Sequence, residues 1–211
     1  MRIGIGVGYG PDPAKAARDA ARQAKRGCPK PDLSLCFGSI YLDQGAVHSA
    51  LCAELDPATL IGGSSYAEIS PAGVTRDTVV VLLISAEGSS VRFADSPLRR
   101  DPLFPRATGE ALARAMGRGP TEGTRALGLL IGSLSDVGVE ESLHALGERL
   151  GRFPLFGGLT CGDYDAGITN PDFWANYNTD QLARRLVLPA QVAPAVVIAW
   201  PGTSRRCGDV A

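Results

Sequence analysis

What the sequence lacks narrows the field first. Its 211 residues contain no apolar run near the roughly 20 that a membrane-spanning helix needs. The opening MRIGIGVGYGPDP turns polar too soon for a signal peptide. No membrane partner is expected, and the chain reads as cytoplasmic. Excess charge of either sign is missing too: 21 basic side chains face 22 acidic ones, so a nucleic-acid partner has no electrostatic support. Histidine is nearly absent, with His48 and His144 alone. The five cysteines are odd in number and never spaced CxxC, which removes a disulfide framework and a zinc site. No metal or other cofactor is expected.

The phosphate and nucleophile motifs are missing as well. GxxxxGK[ST] does not occur, and GIGVGYG alternates its glycines where a dinucleotide fingerprint needs GxGxxG. Gly62-Gly63-Ser64-Ser65-Tyr66 ends in tyrosine where a nucleophile elbow, GxSxG, needs glycine.

What is present is a globular composition, 45% hydrophobic and 20% charged, arranged as apolar runs alternating with helical patterns. The strands predicted are Arg2 to Gly8, Leu33 to Gly38, Thr59 to Gly62, Thr78 to Ser85, Ala126 to Gly132, Pro154 to Gly157 and Ala195 to Trp200. Helices are predicted over Pro13 to Arg26, Asp43 to Leu55, Thr108 to Gly117, Val139 to Leu150 and Thr179 to Leu186. The fold class is therefore α/β, with mixed or largely parallel sheets flanked by helices.

The second half repeats the order of the first. ARDAARQAKRG ends at Gly27 and GEALARAMGRG at Gly119. LCFGS and LLIGS place Gly38-Ser39 and Gly132-Ser133 at an offset of 94, and LIGGSSYAE and LFGGLTCGD place Gly62-Gly63 and Gly157-Gly158 at an offset of 95. Steady offsets point to two related halves, about 1 to 85 and 86 to 211, within one domain. Ser85 to Arg106 reads as the join. With glycine at 26 of 211 residues, a single Gly-Gly carries little weight, and it is the shared order of elements that points to a repeat.

Strand ends of this chemistry are where open α/β sheets bind ligands. The candidate ligand-binding set is Ser39, Gly62, Gly63, Ser64, Ser65, Glu68, Ser133, Gly157, Gly158, Thr160, Cys161 and Asp163. Backbone N–H groups beside the glycines suit a carboxylate, the hydroxyls donate or accept, and Glu68 or Asp163 suits an ammonium. No catalytic residue is assigned. The segment Asp163 to Leu186 has no counterpart in the first half and gathers Tyr164, Phe173, Trp174 and Tyr177, the composition of a lid over a small organic ligand.

Taken in order, PDLSLCFGS, TLIGGSSYAEIS, DTVVVLLIS, FPLFGGLTCGD and APAVVIAW resemble the N-terminal part of the FIST domain, a bacterial sensory module. The resemblance runs from about Gly6 to Trp200. Gly62, Ser64, Glu68 and Ile69 keep one family stretch, and Gly157, Gly158 and Asp163 another. Gly63 stands where the family has cysteine, Ser65 where it has threonine, and Tyr66 and Ala67 where it has alanine and glycine.

The resemblance implies a small-molecule ligand, amino acids among the candidates, and a role in signal transduction. It also implies a C-terminal FIST half, absent from this sequence, or a signalling partner. Two alternatives stay open: a cysteine-dependent enzyme acting on a small acyl or amide substrate through Cys161, and a half-domain that pairs with a C-terminal partner without binding a ligand.

Overall fold

The computed structural model describes residues 1–86, 90–97, 104–117, 124–133, 139–151, 153–160, 172–175, 188–189 and 192–201. The chain opens with β1 (Arg2–Tyr9), α1 (Pro13–Gly27), β2 (Leu33–Ser39) and α2 (Gln44–Glu54). A 3-10 turn then leads into β3 (Leu60–Ser65), a small hairpin of β4 (Glu68–Ser70) and β5 (Gly73–Thr75), and β6 (Thr78–Ser85). The second series is β7 (Ser90–Pro97), α3 (Phe104–Met116), β8 (Thr124–Ser133), α4 (Val139–Leu150) and β9 (Leu155–Thr160). It ends with β10 (Asp172–Ala175), β11 (Leu188–Pro189) and β12 (Val192–Pro201).

Helix starts follow the expected chemistry. Asp12 and Asp43 each accept a hydrogen bond from the backbone N–H three residues on, Lys15 and Ala46, and so cap α1 and α2.

Two sheets result. One runs β1-β6-β2-β3-β10-β11, the other β7-β12-β8-β9. The first four strands of the larger sheet and the four of the smaller follow one pattern. β2 pairs parallel with β3 and β8 with β9, while β6 and β12 run antiparallel to both neighbours. Both sheets are thus mixed rather than largely parallel, because β6 and β12 return between strands that helices connect.

Registers match as well: Cys36 faces Gly62 across β2 and β3, and Leu130 faces Gly157 across β8 and β9, reproducing the offsets of 94 and 95. Through their shared partners, Val81 and Ala195, Gly6 on β1 corresponds to Ala94 on β7. A strand therefore crosses the stretch read as a join. Its alternation, Val91 and Phe93 inward with Arg92 between, is diluted by charge.

Three apolar clusters stack the layers. Alanines of α1, with Val47, Leu51 and Leu55 from and beside α2, cover one face of the larger sheet through Cys36, Leu60, Val79, Val81 and Leu83. Leu112, Ala113, Met116, Leu146 and Leu150 of α3 and α4 cover one face of the smaller sheet at Leu130. The remaining faces meet each other, Leu33, Leu35, Phe37 and Ile61 against Val91, Phe93, Leu129 and Ile131. The order of layers is helix, sheet, sheet, helix, and β3 approaches β9 across the middle.

Candidate functional site

Parallel pairing puts the ends of β2 and β3 side by side, with Ser39 opposite Ser65. It does the same for β8 and β9, with Ser133 opposite Thr160. The four strand-end residues thus fall into two equivalent pairs. Cys161 and Asp163 lie outside the described residues, and so do most of the aromatic segment and the helix predicted over Thr179 to Leu186.

The glycine doublets divide their labour. A Cβ on Gly62 would overlap the carbonyl oxygen of Cys36, and one on Gly157 would overlap that of Leu130. Each first glycine is therefore demanded by its parallel neighbour, whatever a ligand requires. Gly63 lies opposite Phe173, because residues 172–175 of the aromatic segment add to β3 as antiparallel β10. That part of the expected lid is a sheet strand. Gly158 has nothing within 4 Å of where its Cβ would be.

The end of β3 carries a buried acid. Glu68 is 2% exposed, and its two carboxylate oxygens accept hydrogen bonds from Ser65 Oγ at 2.7 Å and Thr78 Oγ1 at 2.6 Å. Thr78 in turn lies 2.9 Å from Thr75 Oγ1. Burial pushes the Glu68 carboxyl above the ordinary range, and the hydroxyl hydrogen bonds pull the other way. The network ties the ends of β3 and β5 to the start of β6.

Tyr66 next door points outward. Arg76 lies over its ring at 4.4 Å, Arg76 Nη2 donates to its hydroxyl at 2.6 Å, and Tyr41 packs nearby with ring centroids 6.3 Å apart.

At the end of β2 two polar atoms are left over. Ser39 is fully buried, Gln44 is 6% exposed, and neither Ser39 Oγ nor Gln44 Oε1 has a hydrogen-bond partner among the described residues. The other atom of the Gln44 amide, Nε2, donates to the carbonyls of Ser39 at 2.7 Å and Leu42 at 3.0 Å. The amide oxygen is thereby held close to Ser39. Most buried polar groups are satisfied, so two neighbouring exceptions are a signal. Gln44 was missed in the sequence because it reads as an ordinary first-turn helix residue. Ser64 is buried on the same strand end as Ser65.

The buried His48 lies one helical turn from Cys52, whose Sγ is 3.5 Å from His48 Nε2. Burial lowers the His48 pKa to about 4, so the imidazole is neutral near pH 7. Burial also raises the thiol of neighbouring Cys36 well above its ordinary range. A neutral imidazole offers a neighbouring thiol no positive charge.

Elsewhere, an open depression of about 430 Å³ between the first turns of α3 and α4 is lined, among the described residues, by Arg106, Glu140, Glu141 and His144. None of the described residues singled out at the strand ends lines it. No group of three or more His, Cys, Asp or Glu that could hold a metal occurs among the described residues. No helix among them is long and apolar enough to cross a membrane.

The family model for the FIST N domain matches residues 32–198, which takes in every strand end described above. The chain belongs to the FIST N family. A FIST N domain is a sensory domain of signal transduction, and the match begins at β2 and ends in β12.

Two solved structures resemble this FIST N domain at low identity. A cyanuric acid hydrolase from A. caulinodans is 13% identical with a TM-score of 0.42, over 95% of this chain and 72% of that one. CetZ1 from Haloferax volcanii, a GDP-bound monomer, is 15% identical with a TM-score of 0.27, over 87% of this chain and 59% of that one. Likenesses this low say nothing about activity. No curated protein matches the sequence significantly.

Proposed function

We propose that this FIST N domain senses a small polar metabolite, with amino acids as the leading class, at the carboxyl ends of β2 and β3. The observation that carries the reading is the buried pair of Ser39 Oγ and Gln44 Oε1, neither with a hydrogen-bond partner among the described residues. An amide oxygen can only accept and a hydroxyl can donate, so together they suit a ligand with an N–H donor beside an oxygen acceptor. An ammonium on Gln44 and a carboxylate on Ser39 would meet both needs. In this proposal Glu68 shapes the end of β3 through Ser65 and Thr78, while Ser64, Gly62 and Gly63 form the wall.

The turn between β2 and α2 supplies the output. Gln44 Nε2 holds that turn shut on Ser39 and Leu42. Admission of a ligand must loosen it, which couples occupancy to the exposed Tyr41 and its packing on Tyr66. By the repeat in the sequence, Ser133, Gly157, Gly158, Thr160, Cys161 and Asp163 are the candidates for the equivalent place in the second half.

Thermal shift against a panel of amino acids and small metabolites tests the reading. A hit should raise the melting temperature in step with the logarithm of ligand concentration above Kd, by about 2.7 kcal/mol of stabilisation at about 100 Kd. Ser39→Ala should leave the free protein as stable or more so, since it deletes an unsatisfied hydroxyl, yet shrink the ligand response. A panel without hits, with Ser39→Ala clearly destabilising, would show an ordered water satisfying both atoms and would overturn the proposal.

A further inference from the structure

The two halves differ at one sheet edge, and the difference follows from chain length. In the second half the connection from β9 to β12, residues 161–191, is long enough to send β10 across to the outer edge of β3. In the first half, residues 66–77 join β3 to β6, and they fold back on themselves as the β4-β5 hairpin. No strand of that short connection pairs with β9. Among the described residues no strand pairs with the outer edge of β9, which ends its sheet.

Among the described residues this edge carries little of the usual protection. The strand Leu155–Thr160 reads LFGGLT, without charge or proline. By contrast, the outer edge of β1 is plugged where Gln23 Oε1 accepts from the Val7 N–H at 2.7 Å. Phe156 is 62% exposed, and Gly157 and Gly158 are exposed beside it. Gly158 has no steric reason of its own to be glycine, since the space where its Cβ would be is empty and its φ is not positive. On β3, the equivalent Gly63 lies opposite an aromatic residue, Phe173.

We propose that β9 pairs antiparallel with β9 of a second copy of this chain, joining two smaller sheets edge to edge across a two-fold axis. The register follows from the occupied edge. Phe156 of each copy lies opposite the partner's Gly158, as Phe173 lies opposite Gly63, with Gly157 on the axis and Leu155 opposite the partner's Leu159. Aromatic cover of an edge glycine is a known stabilising pair, and the pairing gives the outer-edge N–H and C=O groups of β9, which no described strand pairs, their partners. The interface uses neither Ser39 nor Gln44.

Sedimentation velocity on the full chain over a range of concentrations reads the result. The wild type should form a reversible dimer. Gly158→Lys and Phe156→Lys should each weaken it about tenfold or more, the effect of forcing a charge into the centre of an interface. The protomer has room for a side chain at Gly158, so circular dichroism and melting of Gly158→Lys should match monomeric wild type. A wild type that stays monomeric up to its solubility limit overturns the proposal, as does a dimer that survives both substitutions.

Discussion

Glu68 and His48 are both buried and both shifted by burial, yet they act on stability with opposite sign. The folded-state pKa of Glu68 lies above the ordinary glutamate value of ~4.3. The native protein therefore holds that proton more tightly than the unfolded chain, and the stabilisation is lost as pH rises through the raised pKa. For His48 the folded value is lowered to about 4. Its contribution is present above the ordinary ~6.5 and is lost as pH falls toward the folded value. Glu68→Gln should accordingly flatten the loss of stability on going from weakly acidic to neutral pH, leaving the acid-side loss from His48 exposed. Urea midpoints measured across that range decide it; an unchanged slope would mean that Glu68 keeps its proton affinity on unfolding.

At the scale of elements, the alternating glycines of GIGVGYG have a packing cause that motif spacing could not supply. A Cβ on Gly4, Gly6 or Gly8 would overlap the carbonyl oxygen of Ala24, Ala20 or Ala16 in turn. These alanines recur every four residues along α1, so a strip of small side chains lies on a strip of none. Gly6→Ala should cost about 1–3 kcal/mol or more, the penalty of overpacking against backbone that cannot yield, and chemical denaturation measures it. The corresponding residue on β7, Ala94, already carries a Cβ, so Ala94→Gly should be far milder. Most element positions were legible, because apolar periodicity and the Asp12 and Asp43 caps act locally. The strand β7 was not, since Arg92, Asp95 and Pro97 blur its alternation. The hairpin of β4 and β5 was missed for another reason: each strand is only three residues long.

For the whole molecule, stability depends on the seam where the two sheets meet. Ile61 and Ile131 are buried in that seam, one from each half. Ile131→Ala should cost about 2–5 kcal/mol, and both halves should unfold in one transition by circular dichroism and tryptophan fluorescence. Two separated transitions would show the halves to be independent units.

The pattern of residues alone determined the class of fold, the repeat offsets, the strand ends as candidate sites and the resemblance to the FIST family, because each depends on local periodicity or on order along the chain. Tertiary structure decided the rest. It assigned Gly62 and Gly157 to strand packing and turned the carboxylate of Glu68 inward. Among the described residues it brought 172–175 alongside β3, left the outer edge of β9 without a strand, and stranded Ser39 Oγ and Gln44 Oε1 without partners. Each of these depends on which groups meet across distant parts of the chain, and a hydrogen bond or an overlap exists only once both partners are in place.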